Sequence, residues 1–111
     1  MIIHRDIKLE NIVIERFEDE DWPVIKLIDF GFSRKVQMNQ NMTQAVGSGY
    51  YMAPEVLKNN PYDFKADVWS ASIVVFIMLS GDMPFYGKNS EEMINCINKS
   101  DLNRTFSMKK W

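Results

Sequence analysis

Residues Phe64–Leu79 constrain the fold of this chain more than any other stretch. Val68, Trp69, Ser72, Ile73, Phe76 and Leu79 recur at helical spacing, while Val74, Val75, Ile77 and Met78 cover the other faces. A helix that is apolar all round is a buried one. Gly81 stops it and Pro84 follows. The chain has 111 residues, which allows one domain at most. Apolar residues make up 46% and charged residues 25%, an ordinary globular composition that excludes disorder. The longest unbroken apolar run, Ile73–Leu79, falls well short of the roughly 18 residues needed to span a bilayer.

Shorter elements lie on either side of this helix. Met1-Ile2-Ile3 is apolar and β-prone but runs at once into polar residues, so the domain looks cut at its start. Ile12–Ile14 and Val24–Ile28 read as two strands paired in a hairpin, with Pro23 opening the second. The run Glu15–Trp22 between them is mostly charged and reads as a solvated loop. It lacks the glycine and ligand spacing of an EF-hand calcium loop. Asp29–Gln44 is polar and aperiodic, a long loop that Gly47-Ser48-Gly49 continues. Pro54 suits the first turn of a short helix ending at Leu57 or Lys58. Asn89 or Ser90 caps a further helix, Glu91–Asn98, with Met93, Ile94 and Ile97 on one face. Asp101–Trp111 reads as irregular. The eight methionines read as core filler, and Cys96 as a buried helical residue.

Several functions are excluded early. A net charge of −2 leaves no electrostatic footprint for nucleic acid. One cysteine rules out an internal disulfide framework and a multi-cysteine zinc site. No secretory start is visible. A reduced, intracellular and by default cytoplasmic setting is expected.

The chemistry is concentrated in three short motifs. His4-Arg5-Asp6-Ile7-Lys8-Leu9-Glu10-Asn11 fits the pattern H-R-D, four residues, N. Asp29-Phe30-Gly31 follows eighteen residues after Asn11, and Ala53-Pro54-Glu55 comes later. Each motif alone occurs by chance, and their order and spacing carry the signal. The chain resembles the large lobe of a eukaryotic protein kinase over essentially its whole length. Tyr50–Leu57, Asp67-Val68-Trp69-Ser70 and Met78–Phe85 extend the resemblance. They are most similar to the calcium/calmodulin-dependent and calcium-dependent protein kinase group. Lys8, two places after Asp6, resembles the serine/threonine class.

Phosphoryl transfer is mostly positioning and charge stabilisation. It asks for a carboxylate to orient the attacking hydroxyl and take its proton, and Asp6 matches. Hard oxygen donors must hold magnesium against the phosphates, a task that suits Asp29 and Asn11. A cation must offset charge developing at the transferred group, and Lys8 matches. The resemblance implies ATP and Mg²⁺ as cofactors and Ser/Thr hydroxyls of proteins as acceptors. It gives His4 a structural role against Phe30, beside Gly31. It pairs Arg5 with a phosphate on the following loop, for which Thr43 is the best-placed acceptor. Ser48 stands where the family usually has threonine, and its hydroxyl can bridge Asp6 and Lys8. Asp67 is expected to turn its carboxylate to the backbone N–H groups of His4–Asp6. Glu55 would pair with an arginine beyond Trp111. Leu9 and Ser72 replace a common proline and a common glycine without removing chemistry.

The expected architecture is therefore mainly α with a small β-hairpin, residues 1–111 forming part of a kinase domain. The small lobe is absent, with its glycine-rich loop and its lysine–glutamate pair. Two functional classes follow. One is a serine/threonine kinase present as a fragment, with the small lobe as its missing partner. The other is a truncated, inactive remnant that docks on another protein or does nothing. The 111-residue chain alone is expected not to phosphorylate anything.

Overall fold

A computed structural model describes residues 1–16, 21–37 and 40–100. It contains strands β1 (Ile2–Ile3), β2 (Ile12–Glu15), β3 (Val24–Leu27) and β4 (Arg34–Lys35), and helices α1 (Pro54–Leu57), α2 (Lys65–Ser80) and α3 (Ser90–Lys99). Single 3₁₀ turns at Leu9–Asn11 and Gly49–Tyr51 complete the order. The expected hairpin is present: β2 and β3 pair antiparallel, Ile12 opposite Leu27 and Glu15 opposite Val24. Lys26 and Glu15, neighbours across the hairpin, form an ion pair. Only the ends of the charged loop between the two strands fall within the described residues, and Asp101–Trp111 lies outside them.

The helices start and stop where their local chemistry dictates. Pro54 opens α1 at its first turn. Gly81 takes the left-handed conformation at φ 76° and returns its N–H to Ile77 O at 2.8 Å, which closes α2. Asn89 caps α3 by accepting the Glu92 N–H at 2.9 Å, and the Glu92 carboxylate accepts the Lys88 N–H in return. Met93 and Ile97 bury the inner face of α3.

Several expectations are corrected. The stretch Asp29–Gln44 is not wholly loop, because Arg34–Lys35 pairs antiparallel with Ile2–Ile3 as a second small sheet. Two consecutive cations carry no apolar alternation, so the pairing left no periodic trace. The helix α2 is also not buried on all sides. Ala66, Ile73, Val74 and Phe76 are buried, but Val68, Val75, Met78 and Leu79 are each more than half exposed. The helix has the composition of a fully surrounded element, and the described residues cover one of its faces. Methionines divide in the same way: Met42 and Met93 are buried, whereas Met1 and Met78 are exposed. Cys96 is half-buried rather than buried.

The core has two parts. Ile3, Val36, Met42, Ala53, Val56, Tyr62 and Ala66 form the first. Tyr51, Leu57, Ile73, Val74, Phe85, Met93 and Ile97 form the second. Trp69 packs against both and stacks on Phe85 at 5.8 Å between ring centroids. Fully burying side chains such as Ile73 and Phe85 stabilises by about 1.5–3 kcal/mol each. The first core fixes the start of the chain against α2, which is what positions the polar residues that follow Ile3.

Candidate active site

The site begins with an anchor from α2. Asp67 accepts the backbone N–H groups of His4 at 2.7 Å and of Arg5 at 2.9 Å, one on each carboxylate oxygen. These bonds span more than sixty residues of sequence, 63 and 62 positions apart. An ionised acceptor makes each bond stronger than a neutral one, about 1.5–3 kcal/mol. They hold Arg5 at φ 68°, a conformation that a side chain disfavours.

The His4 ring ties this segment to the hairpin. Its Nδ1 accepts the Asp6 N–H at 3.3 Å, which leaves Nε2 to donate to Ile28 O at 3.2 Å. The ring meets Phe30 edge-on at 4.8 Å between centroids. Ile28 N–H in turn donates to Asn11 O at 2.9 Å. Ile28 is therefore bonded to both ends of the His4–Asn11 segment, and Asp29 follows it directly. This places Asp29 one residue beyond a direct bond to the Asn11 backbone, near enough for its charge to act on Lys8.

Asp6 lies at the centre, with only 5% of its surface exposed. Its Oδ2 meets Lys8 Nζ at 2.9 Å and accepts from Asn11 Nδ2 at 3.1 Å. Its Oδ1 accepts from Ser48 Oγ at 2.9 Å, and Ser48 Oγ accepts from Lys8 Nζ at 2.9 Å. Asn11 Nδ2 also donates to the Asp6 carbonyl at 2.9 Å. Burial pushes the Asp6 carboxyl up, but the hydrogen bonds from Lys8 and Ser48, the Lys8 charge and the Asn11 bond outweigh it. The net result lies below the ordinary value of 3.8. The same bond to Asp6 raises the Lys8 ammonium above its ordinary value. Burial raises the nearby Tyr51 phenol, and the Glu10 charge adds to the shift.

Ser48 reaches this cluster from a distant loop that α2 also holds. Tyr51 N–H donates to Ser48 O at 2.9 Å, which closes the 3₁₀ turn, and Ser70 Oγ donates to Tyr51 O at 2.7 Å. Ser70 and Asp67 sit one helical turn apart, so one face of α2 fixes both halves of the site.

Asp6, Lys8, Asn11 and Ser48 are thus joined by direct bonds, and the charge of Asp29 acts on Lys8 without a direct bond to the four among the described residues. Asp29 sits just after β3 at φ 59°, and its Oδ1 accepts the Gly31 N–H at 3.1 Å. Arg5 donates its Nε to Phe32 O at 2.6 Å and keeps a buried terminal nitrogen without a partner. Thr43 is exposed, and no hydrogen bond joins it to Arg5 among the described residues. Glu55 is half-buried on α1, and no described Lys or Arg lies within ion-pair distance of it. Sequence reasoning missed Ile28 and Ser70 as positioning residues. The backbone bonds of Ile28 have no residue signature, and Ser70 stood out only as part of a longer resemblance.

Chemically, the arrangement is a buried carboxylate kept ionised by a lysine and a hydroxyl, next to an amide and an exposed second carboxylate. Among the described residues no three His, Cys, Asp or Glu side chains cluster as a metal cage. No helix among them is long and apolar enough to cross a membrane.

The chain belongs to the protein kinase domain family, whose sequence pattern it matches over residues 1–111. It is 44% identical over 104 residues to calcium-dependent protein kinase 25 of Arabidopsis thaliana, covering 94% of this chain and 19% of that protein. It is 44% identical over 110 residues to calcium-dependent protein kinase 22 of rice (Oryza sativa subsp. japonica), covering 99% and 18%. Calcium-dependent protein kinase 5 of Plasmodium berghei is 40% identical over 110 residues, covering 99% and 19%. The chain therefore spans under a fifth of the length of these relatives.

Proposed function

We propose that this chain supplies the phosphoryl-transfer groups of a serine/threonine protein kinase, as part of the large lobe of its catalytic domain. The observation that carries this reading is the bonded set Asp6–Lys8–Ser48–Asn11. Asp6 Oδ2 carries two partners and Oδ1 only one, so Oδ1 retains a lone pair for an incoming Ser or Thr hydroxyl. Asp6 is ionised at neutral pH, so it orients that hydroxyl and takes its proton as the oxygen–phosphorus bond forms. Lys8, already fixed by Asp6 and Ser48, offsets charge on the transferred group without moving.

ATP with magnesium, when bound, supplies the phosphoryl group and neutralises its charge. The donor set fits such an ion. Asn11 spends its amide nitrogen on Asp6, which leaves its carbonyl oxygen free to bind. Asp29 spends Oδ1 on Gly31, which leaves Oδ2. Both are hard oxygen ligands of the kind magnesium takes in ones and twos beside phosphates. Arg5, with a buried nitrogen unspent, is the group that would receive a phosphate on Thr43.

The 111-residue chain by itself does not transfer phosphate. Its sequence holds no glycine-rich phosphate loop, and more than half of each of Val68, Val75, Met78 and Leu79 is left uncovered. Those side chains favour a second role for the isolated chain, docking on another protein through α2. The test is to assay the chain alone, and then joined behind the small lobe of the Arabidopsis relative, with magnesium-ATP and a Ser/Thr peptide. The joined protein is expected to transfer phosphate and the isolated chain is not. Steady turnover by residues 1–111 alone would contradict the second statement. Inactivity of a folded, ATP-binding chimera would contradict the first.

A further inference from the structure

Gly47 lies next to Ser48, and a Cβ built on it would stand 2.3 Å from the carbonyl oxygen of Arg5 and 3.6 Å from Asp6 Oδ1. Carbon and carbonyl oxygen meet at roughly 3.3–3.6 Å, so any side chain is about 1 Å too close to a backbone atom that cannot swing away. Gly47 also sits at φ 111°, outside the regions open to L side chains. The oxygen it faces belongs to Arg5, itself at φ 68° and held there by the bonds to Asp67. Two unusual backbone positions therefore meet face to face, and the Ser48 hydroxyl is placed one residue beyond the contact. On the other side of Ser48, a Cβ on Gly49 would meet nothing within 4 Å.

We propose that Gly47 is a positioning residue whose missing side chain lets the loop lie on the Arg5 carbonyl, and so sets Ser48 Oγ between Asp6 and Lys8. The proposal rests on reading Asp6, Lys8 and Ser48 as the transfer groups, but its test reads their hydrogen bonds and not catalysis, so either can fail without the other. With Gly47 replaced, the loop lifts off Arg5, Ser48 leaves the cluster, and Lys8 keeps Asp6 as its only fixed partner.

The experiment measures hydrogen exchange of the Lys8 ammonium by ¹⁵N NMR in the 111-residue chain and in Gly47→Ala, Ser48→Ala, the double variant and Gly49→Ala. Gly47→Ala and Ser48→Ala should each speed exchange about tenfold, the worth of one hydrogen bond to a charged group. The double variant should add less than a further twofold, because both changes remove the same bond. Ser48→Thr, measured alongside them, keeps the hydroxyl and should keep exchange slow, and Gly49→Ala should leave it unchanged. Exchange in a folded Gly47→Ala within twofold of the parent would overturn the proposal. So would multiplicative effects in the double variant. Loss of helical circular dichroism in Gly47→Ala would make this glycine a requirement of the fold and overturn the positioning role as well.

Discussion

The corner around Asp6 and the outer face of α2 are opposite cases built on one helix. At the corner, buried polar groups from segments far apart in sequence satisfy one another. On the outer face, apolar side chains of the same helix meet solvent at Val68, Val75, Met78 and Leu79. Among the described residues the polar groups of the corner thus find partners, one terminal nitrogen of Arg5 excepted, while the outer face of α2 stays uncovered. A hydrogen-bonded site needs only a few donors and acceptors in range, whereas surrounding a helix takes packed neighbours on every side.

The contrast can be broken most strongly at Asp67. Asp67→Ala should cost about 3–6 kcal/mol in urea unfolding, two bonds to an ionised acceptor, because the His4 and Arg5 N–H groups lose their partner. A loss under about 1 kcal/mol would mean the corner holds itself without α2. Ile73→Ala, on the buried face of α2 at 1% exposure, should cost about 2–5 kcal/mol by the same measurement. A smaller cost would show the inner face to be as loosely packed as the outer one.

Acid sharpens the corner further. The Asp6 carboxyl lies below its ordinary value of 3.8 in the folded chain, so the unfolded chain takes up that proton first as pH falls. Its stabilising contribution is complete above about pH 4–5 and is lost as pH drops through the folded value. Comparing the acid unfolding curves of the parent and Asp6→Asn checks this: the part of the slope below pH 4 that belongs to Asp6 should vanish in the variant. The smallest effect belongs to the outer face. Val75→Lys with Met78→Lys should change stability by no more than about 0.5 kcal/mol per site, while raising the concentration at which the chain stays monomeric in sedimentation. A large loss of stability would place those side chains in a core.

How much of this was legible in the sequence follows the same divide. Elements with a local signature were readable: Pro54 and Gly81 mark α1 and the end of α2, Asn89 marks α3, and alternation marks the β2–β3 hairpin. The β1–β4 pairing was not, since two-residue strands carry no period and their partners lie some thirty positions apart. The sites at Asp6, Asn11 and Asp29 stood out by spacing, and the Asp67 anchor through resemblance. The positive φ at Arg5 has no residue signature, whereas Asp29 and Asn59 are residue types that tolerate the left-handed region. The burial of α2 was over-read, because composition reports what a helix is built to meet and not which neighbours are present.

The proposed phosphoryl transfer at the Asp6 corner, with Asp29 holding magnesium, can be tested directly. The most direct measurement is the rate of phosphate transfer to a Ser/Thr peptide in the small-lobe chimera, compared with its Asp6→Ala and Asp29→Ala forms. Each variant should fold, keep the circular dichroism of the parent and lose at least about a hundredfold to a thousandfold in transfer rate, the loss expected for a group that takes the proton or stabilises charge. Near-normal turnover in either folded variant would contradict the account, showing that another group takes the hydroxyl proton or holds the magnesium.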